Sequence, residues 1–218
     1  MSSALDAVDA RSRMVERQLR GRGIRDERVL EAMRRVPREL FVPEDLRTHA
    51  YDDGALPIGL GQTISQPFVV ATICALLGLR EHERVLDVGT GSGYQAAVLA
   101  ELAGEVVTVE RFPALAEAAR VRLVEAGYDR VDVRVGDGSL GVPERAPFSA
   151  IAVAAAAPAV PPALYAQLGE DGRLVVPRGS RRGQELVLVT RGQDGPRERS
   201  SIPVRFVPLV GDEGFGSD

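Results

Sequence analysis

From residue 84 onward, short apolar runs alternate with segments whose apolar residues recur every three or four positions. Short apolar runs predict buried strands, and the three-to-four spacing predicts helices. The predicted strands are Arg84–Val88, Val106–Glu110, Val131–Val135, Phe148–Ala154, Arg173–Pro177, Glu185–Thr190 and Ile202–Leu209, and the helices are Tyr94–Ala103, Pro113–Ala126 and Pro161–Leu168. This alternation predicts an α/β fold with a doubly wound, mostly parallel sheet. The last two strands have no helix between them, so we expect an antiparallel pair there.

The first 80 residues carry a different pattern, in which glycine, proline and an irregular stretch interrupt the helical spacing. Met14–Arg20 is predicted to be helical, and Asp26 is placed to cap a second helix over Glu27–Val36. Tyr51–Gln66 is predicted to be irregular. A helix over Pro67–Leu77 begins with proline and is followed by glycine, as helices commonly are.

The length of 218 residues is that of one domain. We divide it into an N-terminal helical cap with a substrate loop (1–80), a Rossmann-like core (81–210) and a tail (211–218). We expect residues 1–10 to be disordered, leave the order of residues 11–13 open, and expect the tail to be mobile, since both ends are small and polar.

Composition excludes several classes of function. The net charge of −4 provides no overall basic field for nucleic acid. His49, His82 and the single Cys74 are isolated, so no metal site is expected, and Cys74 is interpreted as a buried small hydrophobe. The chain shows neither a signal peptide nor an apolar run that could span a bilayer. We therefore expect a cytoplasmic protein that acts as a monomer, without nucleic-acid or membrane partners.

The glycine-rich segment directly after the first core strand is the strongest candidate for a cofactor site. Gly89, Gly91 and Gly93 alternate with Thr90 and Ser92 before a helical run. Glycines allow positive φ and close approach of the backbone to a ligand, and ligands of doubly wound sheets lie beyond the carboxyl ends of the strands. This loop therefore predicts binding of a nucleotide-like cofactor.

Three acids decide which cofactor is favoured. Asp87 lies two residues before Gly89, Glu110 ends the next strand, beside Arg111, and Asp137 precedes Gly138. An acid at position 87 repels a pyrophosphate and attracts an ammonium, Glu110 can accept ribose hydroxyls, and Asp137 can accept an adenine amino group. The loop also has the spacing G-x-G-x-G, not the G-x-G-x-x-G of dinucleotide sites. S-adenosylmethionine fits best, although Asp87 and Asp137 could each merely cap a turn.

Several further motifs resemble the protein-L-isoaspartate O-methyltransferase family, which belongs to the class I S-adenosylmethionine-dependent methyltransferases. The motifs are Ile58-Gly59, Gln62-Thr-Ile-Ser-Gln-Pro67, Leu86-Asp-Val-Gly-x-Gly-Ser-Gly93 and Gly136-Asp-Gly138. The segment Gln62–Pro67 is the most specific, because other class I methyltransferases share only the glycine loop. The Ser65 hydroxyl lies beside the start of the helix predicted over Pro67–Leu77, and such a helix start can bind a carboxylate ligand. A simpler interpretation is that Ser65 only caps this helix.

The resemblance implies methyl transfer to the free α-carboxylate of L-isoaspartyl residues in damaged proteins and peptides, which starts repair through a succinimide. It implies that Ser65 is the catalytic residue. It also implies substrate-binding positions at Thr63, Ile64, Gln66, Ala154 and Ala155. A carboxylate is already ionised at neutral pH, so no general base is required. The sequence departs from the family at Ser149, where an acid is usual, and this change could loosen the start of that strand.

Other functions stay open at this point. A relative could methylate aspartate in one dedicated ribosomally made peptide and form an aspartimide, but the chain ends soon after its last predicted strand, which favours general repair. A methyltransferase acting on RNA or a small molecule is disfavoured by Gln62–Pro67 and by the charge. An inactive S-adenosylmethionine-binding interaction module is disfavoured by the intact Ser65, Asp87, Glu110 and Asp137.

Overall fold

The computed structural model describes residues 2–180 and 182–216. The α-helices are α1 (Ser2–Met14), α2 (Glu27–Arg35), α3 (Pro67–Leu77), α4 (Tyr94–Ala100), α5 (Pro113–Glu125) and α6 (Pro162–Ala166). The strands are β1 (Leu56–Gly59), β2 (Gln62–Ile64), β3 (Arg84–Val88), β4 (Glu105–Glu110), β5 (Asp132–Val135), β6 (Phe148–Val153), β7 (Leu168–Gly179), β8 (Gln184–Gly192) and β9 (Gly195–Val204).

Seven strands form one sheet in the order β5-β4-β3-β6-β7-β8-β9. Strands β3 to β7 pair in parallel, whereas β8 pairs antiparallel with both β7 and β9. This confirms the doubly wound, mostly parallel sheet and its antiparallel C-terminal strands. The chain runs outward from β3 in both directions, so the carboxyl ends of β3 and β6 flank the switch point at which such sheets bind ligands.

The sheet is covered on both faces because successive side chains of a strand point to opposite sides. In β3, Val85 joins a buried cluster with Met14 and Ile73, which come from the N-terminal region and α3. Leu86 and Val88 join a second cluster on the other face. The N-terminal region therefore shares one hydrophobic core with the sheet.

Some local predictions are confirmed. The Asp26 side chain accepts hydrogen bonds from the N–H groups of Arg28 and Val29, which caps α2. Gly78 ends α3 in the left-handed conformation with φ of 54°. Cys74 is buried, and burial raises the pKa of its thiol.

Other local predictions are wrong. The stretch 51–66 contains the hairpin β1–β2, and residues 2–10 lie within α1. The last strand was predicted over residues 202–209, but β9 spans Gly195–Val204. Its polar residues before position 202 belong to the sheet because backbone hydrogen bonds pair them with β8. The tail was predicted to be mobile, but residues 211–215 are held by backbone hydrogen bonds; residue 1 and residues 217–218 lie outside the described part. No helix of the described part is long and apolar enough to cross a membrane.

Candidate active site

The loops at the carboxyl ends of β3, β4, β5 and β6 surround one cavity, together with the hairpin β1–β2 and residues 207–210. Most of the predicted site residues line it, namely Thr63, Ile64, Ser65, Gly89, Thr90, Gly91, Ser92, Glu110, Arg111, Gly138, Ala154 and Ala155. Four do not: Gln66, Asp87, Gly93 and Asp137. The fold thus brings residues from seven separate stretches of the chain to one place, one of them Val70 of α3.

The glycine loop requires its glycines for conformation and for packing. Gly89 and Gly93 have φ of 95° and 93°, a region that side chains disfavour. A Cβ atom at Gly91 would lie 3.3 Å from Cδ1 of Ile58, and one at Gly93 would lie 3.2 Å from Cγ of Leu123. The loop therefore turns sharply while it packs against both the β1–β2 hairpin and α5.

Asp87 is buried below this loop and does not reach the cavity. Its carboxylate accepts hydrogen bonds from Nε2 of Gln95 and from Oγ1 of Thr108, both at 2.8 Å. Burial raises the pKa of Asp87 to about 6; the bonds from Gln95 and Thr108 oppose the shift, and the nearby Glu110 adds to it. Any action of Asp87 on a bound ammonium must therefore pass through its neighbours.

Gln95 is a site residue that the sequence prediction missed. It lines the cavity, its Nε2 donates to Asp87, and its Oε1 is buried without a hydrogen-bond partner in the described part of the chain. A buried acceptor without a partner is costly, and an ammonium would satisfy it. The sequence feature that could have indicated Gln95 as a site residue was its position in the first turn of the helix that follows the glycine loop.

Glu110 lies at the end of β4 and lines the cavity with only 5% of its surface exposed. Its carboxylate accepts hydrogen bonds from the N–H of Gly91 at 2.9 Å and from the N–H of Phe112 at 3.0 Å. These bonds hold both oxygens at the rim, where lone pairs remain available for ribose hydroxyls.

Asp137 has both carboxylate oxygens engaged by the protein. Oδ1 accepts from the N–H and hydroxyl of Ser139, and Oδ2 accepts from the N–H of Asp212. Burial alone would raise the pKa of Asp137, but the hydrogen bonds from Asp212 and Ser139 outweigh it and hold the pKa below its ordinary value.

A second depression, the open groove, lies beside the cavity and is lined on one side by Phe68 and Val69 and on the other by residues 202–207. Thr63, Ser65, Ala154 and Val207 line both depressions and so form their common wall. Such a wall suits a reaction in which one ligand occupies the cavity and the other occupies the groove.

The Ser65 hydroxyl is free to contact a ligand. The N-cap of α3 is Gln66, without a side-chain cap, so the interpretation of Ser65 as a helix cap is wrong. Across residues 2–180 and 182–216, the Ser65 hydroxyl has no hydrogen-bond partner. Gln66 lines the groove and donates to Oδ1 of Asp53 at 2.6 Å.

Arg173 holds the start of β6 at Ser149, the position where an acid is usual in the family. Arg173 donates to the Ser149 carbonyl oxygen and forms two hydrogen bonds of 2.8 and 2.9 Å with the carboxylate of Glu83. This ion pair links β6 and β7 to the residues before β3.

Within the described residues, no group of three His, Cys, Asp or Glu side chains could hold a metal ion.

Comparison with known proteins identifies the family. The sequence model of the family protein-L-isoaspartate(D-aspartate) O-methyltransferase matches residues 10–214. Protein-L-isoaspartate O-methyltransferase 2 of Marinobacter nauticus is 57% identical over 212 residues, which cover 96% of this chain and 97% of the relative. The enzyme of that name from Methanoculleus marisnigri is 54% identical over 208 residues, or 94% and 93% of the two chains.

Solved structures agree as well. A protein-L-isoaspartate O-methyltransferase superposes with a TM-score of 0.83 at 30% identity and covers 94% of this chain and 67% of its own. One from Plasmodium falciparum, in complex with S-adenosyl-L-homocysteine, gives 0.80 at 26% identity over 92% and 98% of the two chains. The chain therefore belongs to the protein-L-isoaspartate(D-aspartate) O-methyltransferase family.

Proposed function

We propose that this protein transfers a methyl group from S-adenosylmethionine to the free α-carboxylate of L-isoaspartyl residues in damaged proteins and peptides. The observation that carries the proposal is the free Ser65 hydroxyl on the wall common to the cavity and the groove. The following backbone nitrogen can then attack the carbonyl carbon of the methyl ester and release methanol, which closes a succinimide that hydrolyses in part to normal aspartate. The whole chain acts as one methyltransferase domain.

The residues around the cavity fit the cofactor of this family, S-adenosylmethionine, which when bound supplies an electrophilic methyl group. The orphaned Gln95 Oε1 is matched to its ammonium, and Glu110 to its ribose hydroxyls. The main chain of Gly89–Gly93 and Gly138 allows close approach. Thr90, Ser92 and Arg111 complete the lining, while Asp87 acts by orienting Gln95 and Thr108.

On the groove side, the chain must hold an acceptor carboxylate. The Ser65 hydroxyl donates a hydrogen bond to this carboxylate. Backbone N–H groups at the start of α3 assist it, because the positive end of the helix dipole favours a carboxylate. Thr63, Gln66 and Ala154 line the groove around it, whereas Ile64 and Ala155, also expected to bind the substrate, line only the adjoining cavity. Because the acceptor is already ionised at neutral pH, the protein contributes alignment and exclusion of water rather than a base.

One experiment separates the candidate functions. The protein is incubated with methyl-labelled S-adenosylmethionine and two peptides that differ only in aspartate versus isoaspartate. A base-labile methyl ester on the isoaspartyl peptide alone supports repair, whereas labelling of the aspartyl peptide supports action on a dedicated peptide. Cofactor binding with labelling of neither peptide contradicts both peptide activities.

Ser65→Ala and Ser149→Ala form a matched pair for this assay. Ser149 lies at the amino end of β6 and lines neither depression, so its substitution should leave methylation unchanged. Equal activity of the two variants would contradict the role of Ser65.

We further propose that the protein acts as a monomer in the cytoplasm, without nucleic-acid or membrane partners. The net charge of −4 supports this view of its partners. Light scattering coupled to size exclusion tests the monomer, and a mass of twice 23.3 kDa would contradict it.

A further inference from the structure

A buried arginine without an acidic partner joins a wall of the cavity to the segment that leads into the groove. Arg38 is fully buried, and its Nη1 and Nη2 atoms have no hydrogen-bond partner in the described part of the chain. Burial lowers the pKa of Arg38, and the groups that oppose this shift are Tyr94 and Tyr51 rather than an acid. Burial of an unpaired charge is costly, and such departures from what favours folding occur at functional sites.

The first contact of Arg38 is with Tyr94, which lines the cavity. The guanidinium carbon Cζ lies 4.7 Å from the centroid of the Tyr94 ring, and a cation is attracted to a ring face most strongly where water is excluded. Phe41 meets the same ring edge-on at a centroid distance of 5.8 Å. The Tyr94 hydroxyl donates to Sδ of Met33 at 3.6 Å. Residues of the N-terminal cap therefore hold the Tyr94 ring at its face, its edge and its hydroxyl.

The position of Tyr94 determines where the glycine loop ends. Tyr94 is the first residue of α4 and directly follows Gly93, and its N–H donates to Oγ of Ser92 at 3.3 Å. Ser92 lines the cavity as well, and so does Gln95, the next residue along the chain. A shift of the Tyr94 ring would therefore move residues that face the proposed methyl donor.

The second contact of Arg38 leads towards Ser65. Nε of Arg38 donates to the carbonyl oxygen of Ala50 at 2.7 Å. Three residues later the same stretch reaches the groove at Asp53, whose Oδ1 accepts a hydrogen bond from Gln66 at 2.6 Å. Because Gln66 directly follows Ser65, hydrogen bonds and short stretches of chain connect Arg38 with the proposed acceptor site.

We propose that Arg38 is a positioning residue for methyl transfer, which holds the wall of the cavity and the segment entering the groove in a fixed relation. The inference rests on the proposed function and adds a residue that lines neither depression. An aliphatic side chain could fill the same space, but it could not bind the face of Tyr94 and the Ala50 carbonyl at once. A guanidinium can, because it stacks on aromatic faces while its N–H groups form a rigid fork.

The test measures kcat for an isoaspartyl peptide at saturating S-adenosylmethionine. Arg38→Met should lower kcat about tenfold, because misplacement of reacting groups by about 1 Å can cost about a hundredfold. The peptide KM and the dissociation constant of S-adenosylhomocysteine should change little, since every group that contacts a substrate is still present. Arg38→Lys should restore part of kcat, because it keeps a cation over the ring. A fall in activity no larger than the fall in folded fraction, measured by circular dichroism on the same sample, would overturn the proposal.

Arg28→Met provides the matched control. The Arg28 guanidinium also joins the N-terminal cap to the core, by donating to the carbonyl oxygens of Leu79 and Leu102, but Arg28 lines neither the cavity nor the groove. Its substitution should destabilise the protein and leave kcat of the folded molecules unchanged. An equal fall of kcat in both variants would show that any loosened cap slows the reaction, and it would overturn the assignment to Arg38.

Hydrogen exchange tests the same connection without methyl transfer. The amides of Ala50 and Ala97 are both hydrogen-bonded within the chain and lie on the two sides that Arg38 joins. Both should exchange faster in Arg38→Met and at the natural rate in Arg28→Met. Unchanged exchange at either amide in Arg38→Met would overturn the inference. If these amides respond as expected but the natural protein methylates no isoaspartyl peptide, only the proposed function is contradicted.

Discussion

Replacement of Asp87 by Asn should stabilise the protein at neutral pH, although Asp87 lies directly below the proposed cofactor site. Folding raises the pKa of this carboxyl from 3.8 to about 6, so the group favours the folded state only while it is protonated. That contribution is complete below pH 3.8 and is lost as the pH rises through about 6. The shift of about two units corresponds to roughly 3 kcal/mol.

The introduced amide does not titrate, but it loses one of the two hydrogen bonds that the carboxylate accepts, at a cost of about 1 kcal/mol. The variant should therefore gain about 2 kcal/mol over the natural protein at pH 7.5, and about 2 kcal/mol of the difference should disappear at pH 4.5. Chemical denaturation without cofactor at both pH values measures this. A difference that stays constant with pH would refute the reasoning.

Asp132→Asn provides a control of opposite sign. Asp132 pairs with Arg134 and Arg145, and the hydrogen bond from Arg134 lowers its pKa against the effect of burial. This acid contributes stability above its ordinary pKa and loses it as the pH falls. Its substitution should thus be destabilising at pH 7.5 and less so at low pH.

Three further predictions concern the two substrates and the fold. Ser65→Ala should lower kcat/KM for an isoaspartyl peptide by about tenfold to a hundredfold, because a hydrogen bond to a charged group is worth about 1.5–3 kcal/mol. Calorimetry should show that the variant binds S-adenosylhomocysteine as tightly as the natural protein, and weaker binding would contradict the assignment of Ser65 to the acceptor. Glu110→Gln should weaken that binding by roughly tenfold, because ribose hydroxyls lose a charged acceptor, and equal affinity would argue against the ribose site. Arg173→Met should lower the free energy of unfolding by about 2–3 kcal/mol, because it leaves Glu83 charged and largely buried; denaturation at pH 7 tests this, and no loss there would contradict it.

The first strand of the core could be predicted from the sequence because both of its ends are marked. Arg84–Val88 lies between charged residues and a glycine loop, and the structure has the same bounds. The hairpin β1–β2 was missed because strands of four and three residues are too short to show a period. The beginning of β9 was missed because its exposed polar residues are held by backbone hydrogen bonds, which leave no hydrophobic pattern.

Some residues of the candidate site could also be predicted from the sequence, and others could not. Gly89, Gly91, Glu110 and Ser65 lie at the cavity because position at a strand end or helix start determines their place. Asp87 and Asp137 lie behind it, since their carboxylates accept hydrogen bonds from distant residues that no local pattern reveals. Gln95 was missed because a glutamine in the first turn of a helix has no distinctive spacing.

The contact between Ile58 and Gly91 has a consequence for how acceptor preference can change. Part of the wall of the groove proposed for the acceptor comes from the hairpin β1–β2 and the residues that follow it, whereas most residues of the cavity proposed for the methyl donor come from the loops of the sheet. The two groups meet where the Ile58 side chain packs against the glycine loop, with only 3.3 Å available for a Cβ at position 91. Hairpin substitutions that preserve Ile58 should therefore alter peptide choice while retaining the donor, which makes the hairpin the place to diversify in directed evolution.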